Sequence, residues 1–356
     1  MNTIFVSAKN SYKPVIIAGP CSAESEEQIL TTAYALSQHQ GVDYLRASVW
    51  KPRTFPSDFE GVGSIGLQWL KKAKEKTGLK TCTEVVHASH VEQAVSTGID
   101  MVWIGARTTV NPFLVEEIAN EVAQYKIPVM IKNPINPDID TWIGAIERFI
   151  RKGVEQISVI HRGFSGFNKL IYRNEPYWEI VFELKRRYPT IPVINDPSHL
   201  TGDKAFVKMM SQKALDLEAN GLMIEVHPCP EKALTDQKQQ LTFSEFSNLL
   251  QSLNFRNHKD NITSTDILKI RAQIDEIDSE IIKFLSRRMK LVREIGEIKH
   301  KNHMTILQME RWKDVVETRL ALGDTIGIEP AFLMKILQII HEEAVRVQTD
   351  IFEKDN

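Results

Sequence analysis

The sequence predicts an α/β fold, a (β/α)8 TIM barrel, followed by a small all-α module of three helices. Two observations carry the barrel and a third carries the module. Eight short apolar segments punctuate the first 230 residues, with amphipathic sequence between them. Nearly every segment ends in a cationic, carboxylate, thiol or imidazole residue, as expected of a barrel whose chemistry lies at the strand C-terminal ends. Beyond residue 264 the apolar spacing changes to steps of three and four, the period of a helix with one buried face.

In chain order, segment 15–19 runs into Pro20-Cys21, and 44–47 carries Arg46 and leads to Lys51-Pro52-Arg53-Thr54. Segment 81–85 contains Cys82 and Glu84, and 101–105 runs into Arg107. Segment 128–131 reaches Lys132, and 157–160 reaches His161-Arg162-Gly163. Segment 192–194 leads to Asp196-Pro197-Ser198-His199, and 222–226 carries Glu225 and ends at His227. Nearly every strand residue is apolar, which suits parallel strands covered on both faces. The intervening helices are predicted at 25–38, 64–77, 88–97, 112–124, 139–152, 177–187, 204–217 and 244–253. Gly41, Gly78, Gly98, Gly153 and Gly221 fall at or beyond their ends, where a left-handed C-cap favours glycine.

The chain has 356 residues, more than the roughly 250 of one barrel. The expected division is a barrel over 1–250, a polar linker over 251–264 and a helical domain over 265–356. In the last, Ile267, Ile270, Ile274, Ile277, Ile281 and Phe284 form a stripe that Ile295 and Ile298 resume. They predict a helix over 266–301, roughly 50 Å long, with its cap among Ser264, Thr265 and Asp266. A second helix over 308–322 is expected to stop at Gly323, and a third to run from Pro330 to 352. Three helices in ~90 residues make a poor isolated core, so a second copy is expected to cover the stripe, giving a homodimer.

Composition narrows the function classes. A net charge of −2 gives no reason to expect nucleic acid or an acidic membrane surface as partner. No run approaches the ~18 uncharged apolar residues of a membrane span. Residues 1–10 lack the apolar core of a signal peptide. Three cysteines argue against a disulfide framework and for a reducing, cytoplasmic location.

Two groups of polar residues are expected to converge. Cys21, His199 and Glu225 come from the ends of the first, seventh and eighth strands, and Asp236 from the loop after the eighth. A closed barrel makes the first and eighth strands neighbours. One thiolate, one imidazole and two carboxylates suit one divalent transition-metal ion, Mn, Co, Fe or Zn, better than Mg or Ca. Cys82 reads as core, and Cys229, after His227-Pro228, as a neighbour of the metal. The second group is Arg46, Lys51, Arg53, Arg107, Lys132 and Arg162. Six cations at one mouth repel unless anions neutralise them, so the substrates should carry several phosphate and carboxylate groups.

Five motifs in order, Gly19-Pro20-Cys21-Ser22, Lys51-Pro52-Arg53-Thr54, Ile104-Gly105-Ala106-Arg107, Asp196-Pro197-Ser198-His199 and Ile224-Glu225-Val226-His227-Pro228, resemble the 3-deoxy-D-arabino-heptulosonate 7-phosphate (DAHP) synthase family. The segment lengths resemble its shorter bacterial subtype, with residues 1–12 leaving no room for an N-terminal regulatory domain. The resemblance implies condensation of phosphoenolpyruvate with erythrose 4-phosphate and release of phosphate, the first step of the shikimate pathway. It implies Cys21, His199, Glu225 and Asp236 as metal ligands. Arg46, Lys51, Arg107, Lys132 and Arg162 would hold phosphoenolpyruvate, and Arg53 and Thr54 the sugar phosphate. The metal would polarise the aldehyde as a Lewis acid. Lys51 would be either the acid for the new alkoxide or an electrostatic carboxylate clamp. The chain departs from the usual Asp-Gly-x-Gln of relatives, with Asp236-Gln237-Lys238-Gln239. A related octulosonate 8-phosphate synthase typically has Lys-Ala-Asn where this chain has Lys51-Pro52-Arg53, and Arg53 favours the four-carbon sugar. A Schiff-base aldolase using Lys132 is a weaker rival.

On the long predicted helix, Arg288 and Lys299 are eleven residues apart and fall within about 20° on the wheel. Arg271 lies roughly 100° away and nearly five turns earlier, so it would reach a different cavity. Arg311 opens the second helix and Gln348 is late on the third. By composition alone these are surface charges on a dimerisation bundle. As a set, Arg271, Arg288, Lys299, Arg311 and Gln348 resemble the all-helical chorismate mutase family. The resemblance implies rearrangement of chorismate to prephenate without a cofactor, with Lys299 and Gln348 stabilising charge on the ether oxygen and Arg271 supplied by the partner of an intertwined dimer. Many relatives have a substrate-contacting Glu where this chain has Trp312, with Gln308 or Glu310 as substitutes. The alternative is a single-activity synthase whose tail only dimerises or senses prephenate. The fusion also suggests that prephenate inhibits the barrel.

Overall fold

The computed structural model describes residues 13–166, 171–255 and 265–353. The first twelve residues, most of the expected linker and the Ser264 cap lie outside these described residues. The chain divides into two compact units, Met1–His258 and Lys259–Asn356.

The first unit alternates strand and helix as β1 (Val15–Gly19), α1 (Glu26–Ser37), β2 (Tyr44–Arg46), α2 (Ser64–Thr77), β3 (Lys80–Val85), α3 (Ala88–Thr97) and β4 (Met101–Ile104). It continues as α4 (Ala106–Thr109), α5 (Pro112–Tyr125), β5 (Val129–Lys132), α6 (Ile139–Arg151), β6 (Ile157–His161) and α7 (Trp178–Arg187). It ends as β7 (Val193–Asn195), α8 (Pro197–Thr201), α9 (Lys204–Asp216), β8 (Gly221–Glu225) and α10 (Phe243–Ser252). The eight strands form a closed parallel barrel in sequence order, with β1 pairing β8 from Val15 opposite Gly221 to Gly19 opposite Glu225.

Strand alternation sorts the apolar residues between two cores. Ile17, Met101, Trp103, Met130, Ile160 and Met223 fill the barrel interior with Cys82, which is therefore core. Their neighbours Ile16, Val102, Ile104, Val129, Leu222 and Ile224 pack outward with buried helix residues. On α6 these are Trp142, Ile143, Ala145, Ile146 and Phe149, one face at helical spacing.

Several boundaries differ from expectation. The short helices α4 and α8 were not anticipated, because four or five residues are too few to show a period. Gly78 and Gly98 are left-handed C-caps and Gly153 follows one residue after a helix cap with φ +79°. Gly41 and Gly221 are not left-handed. Gly221 opens β8, and a Cβ there would fall 2.5 Å from Val15 O and 2.8 Å from Ile194 Cδ1. Close strand packing, not a turn, requires that glycine.

The second unit has α11 (Thr265–Lys301), α12 (Met309–Thr325) and α13 (Pro330–Glu353). Gly323 does not stop its helix. It lies inside α12, where any side chain would collide with Leu333 of α13. Gly296 of α11 likewise admits α13, with Ile351 Cδ1 and Gln348 Cγ 2.7 and 3.1 Å from where a Cβ would be. The buried apolar residues are only Val292, Ala344 and Val347 among those described. Ile270, Ile274, Ile277, Ile281, Phe284, Ile295 and Ile298 are all exposed. No described helix is long and apolar enough to cross a membrane.

Gly19 tests the barrel geometry. Its φ is +147°, and a Cβ would run into the carbonyl oxygen of Arg46 on β2. Gly19→Ala should destabilise the protein by at least about 1–3 kcal/mol, measured as a fall in the denaturant midpoint of the barrel. An unchanged midpoint would mean that β1 and β2 are farther apart than described.

Candidate functional site

Strand ends β1, β7 and β8 bring four potential ligands together. Cys21, His199, Glu225 and Asp236 each offer one donor atom, and these atoms lie within 4.8 Å of one another. Cys21 follows β1, and its backbone N–H donates to Gln240 Oε1 at 3.1 Å. His199 rides on α8, whose N-cap is Asp196, with Asp196 Oδ1 accepting the His199 N–H at 3.0 Å. His199 Nδ1 also lies 2.8 Å from Asp196 Oδ2, a close contact without hydrogen-bond geometry. Glu225 ends β8, fully buried, with Arg46 Nη2 3.3 Å from its Oε1. Asp236 adopts φ +50° in the loop beyond.

These groups fit a bound ion. Glu225 Oε1 is buried and forms the Arg46 ion pair but accepts no hydrogen bond, which leaves a buried acceptor for an ion. Thiolate, imidazole and carboxylate together suit a first-row divalent metal. Burial, followed by Glu225, pushes the Cys21 thiol well above its ordinary value despite Lys51, so an ion would have to displace that proton. Burial opposes ionisation of Asp236 too, but His199, Lys51 and Arg173 hold it well below the usual carboxylate range. Burial pushes His199 down, which favours the neutral, ligating imidazole. Cys229 is not in the cluster; its thiol donates to Glu231 at 2.6 Å.

Beside the cluster opens a cavity of about 470 Å³ lined by Lys51, Arg53, Thr54, Arg107, Lys132 and Arg162, with His199 and Asp236. Lys51 Nζ lies 2.7 Å from Cys21 Sγ. Arg53 pairs with Asp58 at 3.1 Å. Arg107 donates to Thr54 Oγ1 at 3.1 Å, and Lys132 pairs with Asp196 at 2.9 Å. Burial brings Arg162 down to about 10, still cationic at neutral pH. Arg46 does not line the cavity. At 1% exposure it lies beneath, donating to Cys21 O at 3.1 Å and stacking over Trp103, with Nε and Nη1 unpartnered.

Arg173 and Glu84 also line the cavity; Glu84 was seen on the third strand segment but given no role, and Arg173 did not stand out in the sequence. Arg173 lies in the loop after β6, where no motif marks it, although a basic residue in a strand-end loop was a usable signal. Glu84 accepts from Ser48 Oγ at 3.1 Å. It occupies the space that Gly105 leaves free, since a Cβ there would collide with the Glu84 carboxylate.

Residues 5–258 match the DAHP synthetase I family and residues 270–349 match chorismate mutase type II. The chain belongs to the DAHP synthetase I family. It is 36% identical over 238 residues to a phospho-2-dehydro-3-deoxyheptonate aldolase of Thermotoga maritima, covering 67% of this chain and 68% of that one. A 2-dehydro-3-deoxyphosphooctonate aldolase of Nitratidesulfovibrio vulgaris is 25% identical, covering 69% of this chain and 93% of the relative. The crystal structure of the Thermotoga maritima DAHP synthase superposes with a TM-score of 0.60 at 34% identity, covering 67% of each chain. This member of the family carries both a DAHP synthase domain and a chorismate mutase domain.

In the mutase domain, Lys299 and Gln348 are buried. Lys299 Nζ donates to Ile306 O at 2.6 Å, and burial lowers its pKa. Gln348 Oε1 is buried without a partner. His341 is half-buried; burial and then Arg288 lower its pKa, with Lys299 contributing. His341 thus feels the positive charge of both Arg288 and Lys299. Trp312 stacks on His341 at 4.0 Å, so an aromatic pair occupies the position where a carboxylate was expected. Arg311 is exposed and pairs with Asp314, and Arg271 is exposed on α11.

His161, under the barrel mouth, provides a pH test. Burial lowers it to about 4. Its neutral ring donates from Nε2 to Pro176 O at 2.7 Å while Nδ1 accepts from Asn195. Between the unfolded value near 6.5 and the folded value, the unfolded chain binds more protons, so this contribution is lost as pH falls. Urea unfolding should show roughly 3 kcal/mol more acid destabilisation between pH 7 and 4 in the parent than in His161→Gln. Equal slopes would refute the buried neutral imidazole.

Proposed function

We propose that the barrel joins phosphoenolpyruvate to erythrose 4-phosphate with addition of water, yielding DAHP and phosphate, and that the helical domain converts chorismate to prephenate. The observation that carries the first reading is a thiol, imidazole and carboxylate cluster opening directly onto a cavity lined with cations. A divalent ion held by Cys21, His199, Glu225 and Asp236 would supply Lewis-acid polarisation of the sugar aldehyde. Arg107, Lys132 and Arg162 grip the phosphate and carboxylate of phosphoenolpyruvate, and Arg46 adds positive potential from below. Arg53 and Thr54 take the sugar phosphate, which displaces Asp58 from Arg53. Carbon 3 of phosphoenolpyruvate then attacks the aldehyde carbon. The Lys51 ammonium, beside Cys21, donates a proton to the oxygen that becomes negative. Water adds at the cationic carbon 2 and returns one proton to Lys51; the new hydroxyl passes its remaining proton to the departing phosphate as the carbon–oxygen bond to phosphate breaks, leaving a ketone at carbon 2.

In the helical domain, Arg288 and the buried Lys299 support a dicarboxylate site. Lys299 and the Gln348 amide stabilise charge developing on the ether oxygen. Arg311 contacts a substrate carboxylate once released from Asp314, and Arg271 does so from a second copy. The exposed isoleucine stripe of α11 supports a homodimer in which that copy covers it. The three free cysteines support a reducing, cytoplasmic location.

Two measurements test this. Chelation of the full-length protein should lower DAHP formation by more than about 100-fold and leave chorismate conversion unchanged. Equal loss of both, or of neither, contradicts the division of chemistry. Ile277→Asp should yield a monomer by light scattering with little mutase activity, because desolvating a carboxylate in an apolar interface costs several kcal/mol. A dimer with full activity removes the α11 stripe from the interface.

A further inference from the structure

Three of the four clustered donors share one arrangement, in which one atom faces the cluster and the other meets an outer partner. His199 turns Nε2 toward Glu225 Oε1 at 3.5 Å and keeps Nδ1 2.8 Å from Asp196. Glu225 leaves Oε1 without a hydrogen-bond partner while Oε2 accepts from Gln239 Nε2 at 2.7 Å. Asp236 Oδ2 lies 3.1 Å from Cys21 Sγ, and its Oδ1 accepts from Arg173 Nη1 at 2.7 Å. Two of these outer links meet, because Arg173 Nη1 also donates to Gln239 Oε1 at 3.1 Å. One guanidinium nitrogen therefore holds Asp236 directly and Glu225 through the Gln239 amide. It also orients that amide: with Oε1 facing Arg173, Nε2 faces Glu225.

The segment bearing Arg173 is fastened to the helix bearing His199. Arg173 N donates to Thr201 O at 3.0 Å, and Asn174 Nδ2 donates to His199 O at 2.7 Å. Gly202, at φ +69°, leaves room for the Arg173 stem, since a Cβ there would fall 2.5 Å from Arg173 Cβ. Asp236 needs an external hold. A non-glycine residue in the left-handed region is strained, and the next residue is Gln237 rather than the expected glycine.

We propose that Arg173 is a positioning residue for the ion, locking Asp236 and, through Gln239, Glu225 in ligating orientation. This rests on the reading of the four donors as a metal site. Arg173 acts through the carboxylates and not on the reacting atoms. Without it, Asp236 can relax and the Gln239 amide can rotate, and both ligands lose preorganisation. The competing role is a direct phosphate anchor, since Arg173 also lines the cavity.

The test titrates metal-free full-length protein with cobalt(II), following thiolate-to-cobalt absorption. Parent protein should bind one equivalent. Arg173→Ala should weaken binding by about 10- to 100-fold, with KM for both phosphorylated substrates unchanged at saturating cobalt. Gln239→Ala should weaken it too, and the double variant should lose less than the two single effects summed, since the Glu225 link runs through both residues. Should Arg173→Ala fold poorly, Arg173→Met serves instead: it keeps an apolar stem against Gly202 but supplies no donor to Asp236 or Gln239, so affinity should still fall. Unchanged cobalt affinity with a raised KM would overturn the proposal in favour of a substrate anchor. Failure of the parent to bind cobalt would remove the metal site itself and the proposal with it.

Discussion

The carboxylate of Glu225 lies at the end of β8 with no exposure to solvent, and the rest of the barrel mouth is arranged around that charge. An isolated buried carboxylate would cost many kcal/mol. Here Arg46, also buried, approaches one oxygen at 3.3 Å and Gln239 binds the other at 2.7 Å. Arg46 in turn stacks over Trp103, the largest side chain in the barrel interior. The apolar core, the buried ion pair and the ligand cluster thus form one continuous column. Gly19 is part of it, because only a residue without a side chain lets β1 approach Arg46 closely enough for Cys21 to face Glu225.

The cavity above has the opposite problem. Six basic side chains, Lys51, Arg53, Arg107, Lys132, Arg162 and Arg173, share its wall with three acidic ones, Asp58, Glu84 and Asp236. Two like charges 6 Å apart repel by about 3 kcal/mol at an effective dielectric of 20. The protein lowers this cost with internal counterions: Asp58 for Arg53, Asp196 for Lys132 and Asp236 for Arg173. Among the described residues, Arg107 and Arg162 reach only neutral acceptors, Thr54 for the first and Asn174 and the Gly163 carbonyl for the second. These two are the most favourable places for an incoming phosphate or carboxylate, because no ion pair among the described residues must be broken.

Most of the barrel was legible because strand and helix periods differ and because burial on both faces leaves continuous apolar runs. Strand ends shifted by a residue where the apolar run outlasts the hydrogen-bond ladder, as at Ala47 and Val226. Gly221 and Gly323 were misread for a shared reason. Sequence shows that glycine is present but not whether φ or a neighbouring chain demands it. The grouping of Cys21, His199, Glu225 and Asp236 followed from barrel closure, which makes the first and last strands adjacent. The roles of the partners holding those groups were not legible, although Gln239 stands in the Asp236–Gln239 motif. Gln239, Gln240 and Arg173 lie in loops whose course no period dictates, and their importance comes from single hydrogen bonds.

The helical domain shows the limit of reading one chain. Its helices meet through glycines, Gly296 and Gly323, which bring backbones close but contribute little apolar area. Val292, Ala344 and Val347 are a small core for a helix of 37 residues. At roughly 25 cal/mol per Å², so few side chains cannot offset the conformational entropy of ordering three helices. The apolar surface available to make up the difference is the α11 stripe. In the proposed homodimer, covering Ile270 through Ile281 would order Arg288, Lys299 and Gln348, so that mutase chemistry and self-association would be two consequences of burying the same face.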